Sequence, residues 1–406
     1  MLNRRDFFPL VTATAAAAAA AIDDAAAAAH GPDVRGADVK FDPAHMSERE
    51  LARHSIRLPQ LDRQSSQDFL SSLRTWLRNA TPDLPDQLEA FAAGKGIAAT
   101  ADLSLEEACT LALQHPKYAA RSRIATSVQQ LMWSGIADVF HKNADFYLAA
   151  LEATDNAGPG TLELNPQMHV PEYTRYEIHI QPGGYVGDPF AGAISLYGFK
   201  HYDRQFLFND HQEHHLAMAQ ELPLPADGSV NRILDMGCGF GGLATAMKER
   251  FPAAEVWGID VGGPMVRWAH HRAVKMGIPV HFAQRLAEDS KFEAASFDIV
   301  ASYIMFHEVS ADAAKKIVAE AHRVLRPGGI FRPIDFVTRG NPAYKEPRTV
   351  AAKAAQWMDH RYNFEVWALQ YRNLDFPGLL RSAGFDVTIG PQGPTAFQDV
   401  TARKRA

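Results

Sequence analysis

Arg232-Ile-Leu-Asp-Met-Gly-Cys-Gly-Phe-Gly-Gly242 joins an apolar run ending in an acid to a glycine-rich turn. Leu243-Ala-Thr-Ala-Met-Lys-Glu-Arg250 then continues in a helical pattern. A buried strand, a tight turn and a helix N-terminus in that order make a cradle for a nucleotide-type ligand. Glycine suits the turn because the backbone must bend sharply and let a ligand approach closely. The spacing Gly237, Gly239, Gly242 also satisfies G-x-G-x-x-G, a pattern shared with dinucleotide dehydrogenases. The segments beyond Arg250 decide between the two kinds of site.

Val256-Trp-Gly-Ile-Asp260 predicts a second short buried strand that also ends in an acid. A carboxylate at a strand end about 20 residues beyond a glycine loop suits a ribose diol. Ala295 to Glu308 holds another strand, and a helix is expected from about Ala311 to Leu325, stopped by Arg326-Pro-Gly-Gly329. Together these features resemble the class I S-adenosylmethionine-dependent methyltransferases over residues 229–400. The Leu325 to Gly329 turn is a mark that dehydrogenases lack. The resemblance implies an α/β, Rossmann-like, seven-stranded sheet of order 3-2-1-4-5-7-6, its last strand antiparallel. The ligand would lie at the switch point between the first and fourth strands.

It also implies site residues. Gly237, Gly239 and Gly241 would shape the loop beside the amino-acid end of S-adenosylmethionine, with Asp235 beneath it. Asp260 would accept from the ribose hydroxyls, and Val261 would lie against the adenine. In Arg285-Leu-Ala-Glu-Asp289, relatives place an acid where this chain has Leu286, which leaves Ala287 and Glu288 for the adenine edge. Tyr202, on a helix ahead of the loop, would cover the cofactor. Strand four would end at the acceptor pocket, with Tyr303 lining it. Because the cofactor brings its own leaving group, the protein mainly aligns the acceptor and removes its proton. His307 is the expected base, with Glu308 second. Trp357, His360 and Tyr362, in a segment that relatives use as a roof, would contact a flat or apolar small molecule. The expected reaction is methyl transfer to a small molecule, O-methylation first, N- or C-methylation after it. A non-catalytic ligand-binding protein and a nicotinamide oxidoreductase are the competing readings.

The rest of the chain sets bounds. At 406 residues it can hold several domains. A net charge of −6 without a basic stripe excludes nucleic acid as the expected partner, and no apolar run reaches membrane-spanning length. Two cysteines, Cys109 and Cys238, make no disulfide framework. Arg4-Arg5, an aromatic pair and an alanine-rich stretch make residues 1–30 resemble a twin-arginine export leader. Export points to the periplasm and cofactor supply to the cytoplasm, so the sequence leaves the location open. Residues 31–46 are linker-like, and 47–155 are expected to be helical, with capping boxes at Ser47–Glu50 and Ser104–Glu107. Two copies could pair through those helices. In the connector, 156–228, Arg175 to Ile180 alternates like a strand, and His201 leads into a helix ending near Leu222. Residues 229–406 would form the methyltransferase domain. His211 and His215 share a helix face, but no second ligand cluster matches them, so no metal is expected.

Overall fold

The computed structural model of the chain describes residues 58–97, 100–203, 211–391 and 397–405. The export leader, the linker and the Ser47–Glu50 cap lie outside these residues. Among the described residues five α-helices come first: α1 (Leu61–Asn79), α2 (Leu84–Gly94), α3 (Leu105–Leu113), α4 (Pro116–His141) and α5 (Ala144–Glu152). Ser104 caps α3 as the sequence predicts: its hydroxyl accepts from Glu107 N, and the Glu107 carboxylate accepts from Ser104 N. Leu70 and Leu77 of α1 pack on Met132, Trp133, Ile136 and Phe140 of α4.

A mostly parallel sheet comes next, built from β1 (Thr161–Glu163), β2 (Arg232–Met236), β3 (Glu255–Asp260), β4 (His281–Gln284), β5 (Phe297–Tyr303), β6 (Leu325–Ile334), β7 (Phe385–Ile389) and β8 (Val400–Lys404). Their order is β1-β4-β3-β2-β5-β6-β8-β7, with β8 antiparallel to both neighbours. Strands β2 to β8 reproduce the expected order. The sheet has eight strands rather than seven because β1 pairs with the free edge of β4, Thr161 opposite His281. Three residues are too few to show a strand period, although Thr161 Oγ1 meets His281 Nδ1 at 2.9 Å and Glu163 pairs with Arg285.

The central strands are apolar on both sides because helices cover both faces. One face meets α8 (Gly242–Arg250) and α9 (Gly263–Met276), through Leu243, Met247, Val266 and Phe282. The other meets α10 (Ala311–Val324) and α13 (Phe376–Ser382), through Ile317, Val324, Phe331 and Leu380. The Arg326–Gly329 turn lies inside β6 as a bulge. The register there passes from Phe297 opposite Leu325 to Ile299 opposite Ile330, and Gly328 takes a φ of +77°.

Three expectations change. Arg175 to Ile180 forms short 3-10 turns at Glu172–Thr174 and Ile178–Ile180, not a strand. His179 and Ile180 have φ of +58° and +52°, which no strand accommodates. The helix expected from His201 is described as two, α6 (Ala191–Asp203) and α7 (His211–Gln220). The aromatic segment after β6 forms α11 (Val350–Tyr362) and α12 (Ala368–Asn373), and α11 turns its apolar face away from the cofactor edge of the sheet. Val350, Ala351 and Ala354 pack instead on Leu84, Leu88 and Cys109 of α2 and α3. No described helix is long and apolar enough to cross a membrane.

Candidate functional site

A cleft of about 1060 Å³, counted out to its mouth, opens at the C-terminal ends of β2, β3 and β5. The glycine loop forms its floor. Gly237 and Cys238 both donate backbone N–H to Ile259 O at 2.9 Å, tying the loop to β3. Gly237 has a φ of +69°, and a Cβ there would lie 2.5 Å from Met305 Sδ. At Gly239, with a φ of +53°, a Cβ would face open space, its nearest atom Met265 Cε at 3.6 Å. The loop is held tight beneath and kept bare toward the ligand.

Two acids frame it. Asp260 Oδ2 accepts from Gly239 N at 3.0 Å and Oδ1 from Gly262 N at 2.8 Å. Each oxygen keeps a second lone pair for a ribose hydroxyl. Burial pushes the Asp260 carboxyl up to about 6, against the pull of those two N–H groups and helped by the charge of Glu308. Asp235 is 1 % exposed, lines the cleft, and neither carboxylate oxygen has a hydrogen-bond partner. Burial drives its pKa well above the usual carboxylate range. An unpaired buried carboxylate costs several kcal/mol, which a ligand ammonium would offset. The acids, the bare glycine and the enclosed volume thus suit S-adenosylmethionine, whose amino group and ribose need such partners.

Val261, Ala287 and Glu288 also line the cleft, and Glu288 accepts a short hydrogen bond from Tyr173. Tyr303 lines it beside His215, with ring centroids 5.1 Å apart. Tyr202 lies on α6, but its side chain is outside the described residues, as is that of His211.

The strand-four edge departs from expectation at His307. This residue is 5 % exposed and does not line the cleft. Its Nδ1 lies 2.8 Å from Asp335 Oδ1, and Asp335 also accepts from Phe306 N and Phe336 N. Burial opposes a charged ring, but the Asp335 carboxylate outweighs it and raises the His307 pKa to about 10. At neutral pH such a ring is an imidazolium with no lone pair to take a proton. Glu308 does line the cleft, and its Oε1 accepts from Tyr185 Oη–H at 3.0 Å.

The expected roof residues lie elsewhere. Trp357 packs into the core between α11 and the first helices. His360 Nδ1 sits 3.3 Å from Glu365 O. Tyr362 lines a separate cavity with Leu88, Tyr118, Ala351 and Met358. The segment reaches the site through its other end, where Trp367 Nε1–H donates to Tyr173 O at 2.9 Å and Glu365 meets His179.

Sequence reasoning misses Tyr173, His179 and Glu365. The alternation around His179 predicts a strand, and the only local hint otherwise is the turn Gln181-Pro-Gly-Gly184. Glu365 sits in an aromatic run whose rings draw the attention. It is 3 % exposed, and burial pushes its carboxyl up to about 7 against the pull of His179 and His307.

Comparison with known proteins agrees with this geometry. A family model described as a methyltransferase domain matches residues 233–329. An uncharacterised methyltransferase of Synechocystis is 32% identical over 170 residues, 41% of this chain and 73% of that one. The demethylmenaquinone methyltransferase of Thermus thermophilus is 37% identical over 113 residues, 28% of this chain and 50% of its own length. A ubiquinone biosynthesis O-methyltransferase of Pseudomonas aeruginosa is 34% identical over 115 residues, 28% of this chain and 47% of its own. This chain thus spans about half the length of the latter two. Among solved structures, the magnesium protoporphyrin IX methyltransferase of Synechocystis with bound S-adenosylmethionine gives a TM-score of 0.34 at 16% identity, over 51% of this chain and 84% of that one. Family match, relatives and sheet order agree, and the chain belongs to the S-adenosylmethionine-dependent methyltransferases.

Proposed function

We propose that the chain methylates an oxygen of a flat or apolar small molecule, with Glu308 taking the acceptor's proton. The carrying observation is the contrast at the strand-four edge. Glu308 lines the cleft and accepts from Tyr185 Oη–H, while His307 behind it does not line the cleft and is engaged by Asp335 at 2.8 Å. Bound in the cleft, S-adenosylmethionine supplies a methyl group already activated on a sulfonium. Asp235 would hold its amino group, Asp260 its ribose, and Val261, Ala287 and Glu288 its base. Tyr303 and Tyr185 then flank the space left for the acceptor. The described lining includes the rings of Tyr173, Tyr185, Phe199, Phe240 and Tyr303 and no Lys or Arg. That lining favours a neutral aromatic or apolar acceptor over a carboxylate or phosphate. The ubiquinone O-methyltransferase and demethylmenaquinone methyltransferase among the relatives support the same class.

The test is transfer of a carbon-13 methyl group from labelled S-adenosylmethionine into a metabolite extract, read by NMR. A new O-methyl resonance is expected. Cofactor binding without any labelled product would refute turnover, and label on nitrogen or carbon would refute the acceptor atom.

Two further proposals concern the whole chain. Residues 1–35 fused to a reporter active only outside the cytoplasm should give signal that is lost when Arg4 and Arg5 become Lys. Leu61, Phe69 and Trp76 of α1 and Leu131 of α4 are exposed and support pairing of two copies through the helices. Light scattering should then give twice the chain mass.

A further inference from the structure

Glu308 stands where two carboxylate–histidine pairs converge. On one side Asp335 holds His307, whose Nε2 lies 3.8 Å from Glu308 Oε1. On the other, Glu365 Oε1 lies 3.0 Å from His179 Nδ1, and His179 Nε2 lies 3.5 Å from the same Glu308 oxygen. Glu365 Oε2, buried, has no hydrogen-bond partner.

His179 comes from the connector and is clamped by the first helices. Its carbonyl accepts from Trp133 Nε1–H at 2.7 Å and from Gln129 Nε2–H at 2.8 Å, both on α4. Gln129 also donates to Asn363 Oδ1, which ties the same point to the segment carrying Glu365. A left-handed backbone at a residue other than glycine persists only where its surroundings over-determine it, and such residues gather at functional sites. Here α4 fixes the backbone of this residue while Glu308 and Glu365, from two other parts of the chain, meet its ring.

We propose that His179 is a positioning residue for methyl transfer: clamped by α4 and oriented by Glu365, it aims the Glu308 carboxylate at the acceptor. The inference rests on Glu308 as the base, and it gives the first helices a part in the reaction. In the step it serves, the acceptor oxygen's lone pair forms the bond to the methyl carbon. The carbon–sulfur bond breaks with its pair left on sulfur, and the acceptor's proton passes to Glu308. The positive charge of the sulfonium is thereby balanced by neutralisation of the carboxylate.

The electrostatics agree with the geometry. Burial opposes a charge on His179, but Glu365 and Glu308 outweigh it and raise its pKa, with Asp359 adding to them. Tyr185, His307 and, through its charge, Asp260 are the other titratable groups around Glu308. One imidazole and two carboxylates within 4.8 Å would also suit a divalent cation. Yet the ring sets Nδ1 beside Glu365 and Asn363 and Nε2 beside Glu308, so its two nitrogens face different partners. A shared ion would need one nitrogen facing both.

The test compares the full chain with Glu308→Gln, His179→Asn and Glu365→Gln. Asparagine tolerates the left-handed backbone, and glutamine keeps the shape of Glu365 without its charge. Initial rates of labelled-methyl transfer into one metabolite extract should fall about 10–100-fold in His179→Asn, the cost of a misplaced group. Affinity for S-adenosylmethionine, by titration calorimetry, should stay within about twofold, as expected of a residue that does not line the cleft. The acid limb of the pH–rate profile should move to higher pH in both His179→Asn and Glu365→Gln, which a merely structural role would not produce. Unchanged rate and profile in both, with Glu308→Gln inactive, would overturn this inference alone. Retained activity in Glu308→Gln would overturn the base beneath it. Stoichiometric divalent metal in the purified chain, lost in Glu365→Gln, would also overturn it in favour of a metal centre. Should His179→Asn fail to fold, Glu365→Gln carries the same comparison.

Discussion

The two halves of the cleft are built in opposite ways. The floor of the cleft takes Asp235, Gly237, Gly239 and Asp260 from one strand-loop-helix-strand unit between positions 232 and 260, while Gly241, expected beside them, faces Phe282 and Ala269 instead. The other side takes Tyr185 from the connector, Tyr303 and Glu308 from the end of β5 and the turn after it, and support from Asp335, Glu365 and α4. The first half works through backbone geometry, since glycines and N–H groups do most of the shaping. The second works through paired charges brought together from distant segments. A contiguous unit can serve many proteins unchanged, whereas an assembled one can be altered piece by piece. On the proposed reading, cofactor binding rests on the first half and acceptor choice on the second.

If the halves are separable, changes in one should spare the other. The largest effect belongs to Glu308→Gln, which keeps an acceptor for Tyr185 but removes the base. Turnover should fall about 10²–10⁴-fold, with cofactor affinity nearly intact. A loss below about tenfold would return the base to another group, His307 included.

His307→Ala probes the assembled half by stability. It leaves the Asp335 carboxylate buried without its cation, a loss of about 3–5 kcal/mol in urea unfolding. The folded pKa of about 10 lies above the ordinary 6.5. The contribution of His307 is therefore full below 6.5 and lost as pH rises through 10. The stability gap between wild type and variant should narrow over that window. A gap that widens with pH would show that the ring is neutral in the folded chain.

Asp260→Ala addresses the contiguous half. Losing charge-assisted hydrogen bonds to the ribose should weaken cofactor binding by about 1–3 kcal/mol in calorimetry. Turnover at saturating cofactor should change far less. If turnover falls more than binding, the two halves are coupled and the division fails.

The smallest effect is that of pH on binding. Asp260, pushed up to about 6, accepts a proton as pH falls through that value and loses acceptor strength. Affinity for S-adenosylmethionine should drop by no more than about tenfold between pH 7 and 5, equivalent to one pKa unit of differential interaction. Asp260→Asn should flatten that dependence.

The contrast also sets how much is legible in the sequence. The order of β2 to β8, the glycine loop, Asp235 and Asp260 are all legible, because each rests on local periodicity or on a spacing within one βαβ unit. Helix α3 is legible to its cap, since Ser104 and Glu107 are three residues apart. His307 stands out in the sequence by its type and its place beside a strand end. Its engagement by Asp335, 28 residues on and buried against it, is not legible there. Trp357 and Tyr362 stand out by their rings, but α11 spends its apolar face on α2 and α3, far earlier in the chain.

By itself the sequence determined that a parallel sheet with a ligand-binding glycine loop would form. Strand periodicity, turn chemistry and helix capping act over a few residues and need no partner. Only the tertiary structure decided which acid faces the cleft, which histidine is locked as a cation, and that α4 reaches across to hold His179. Those outcomes depend on burial and on charges meeting from remote segments. Burial and opposing charge move a group's proton affinity far more than its neighbours in sequence do.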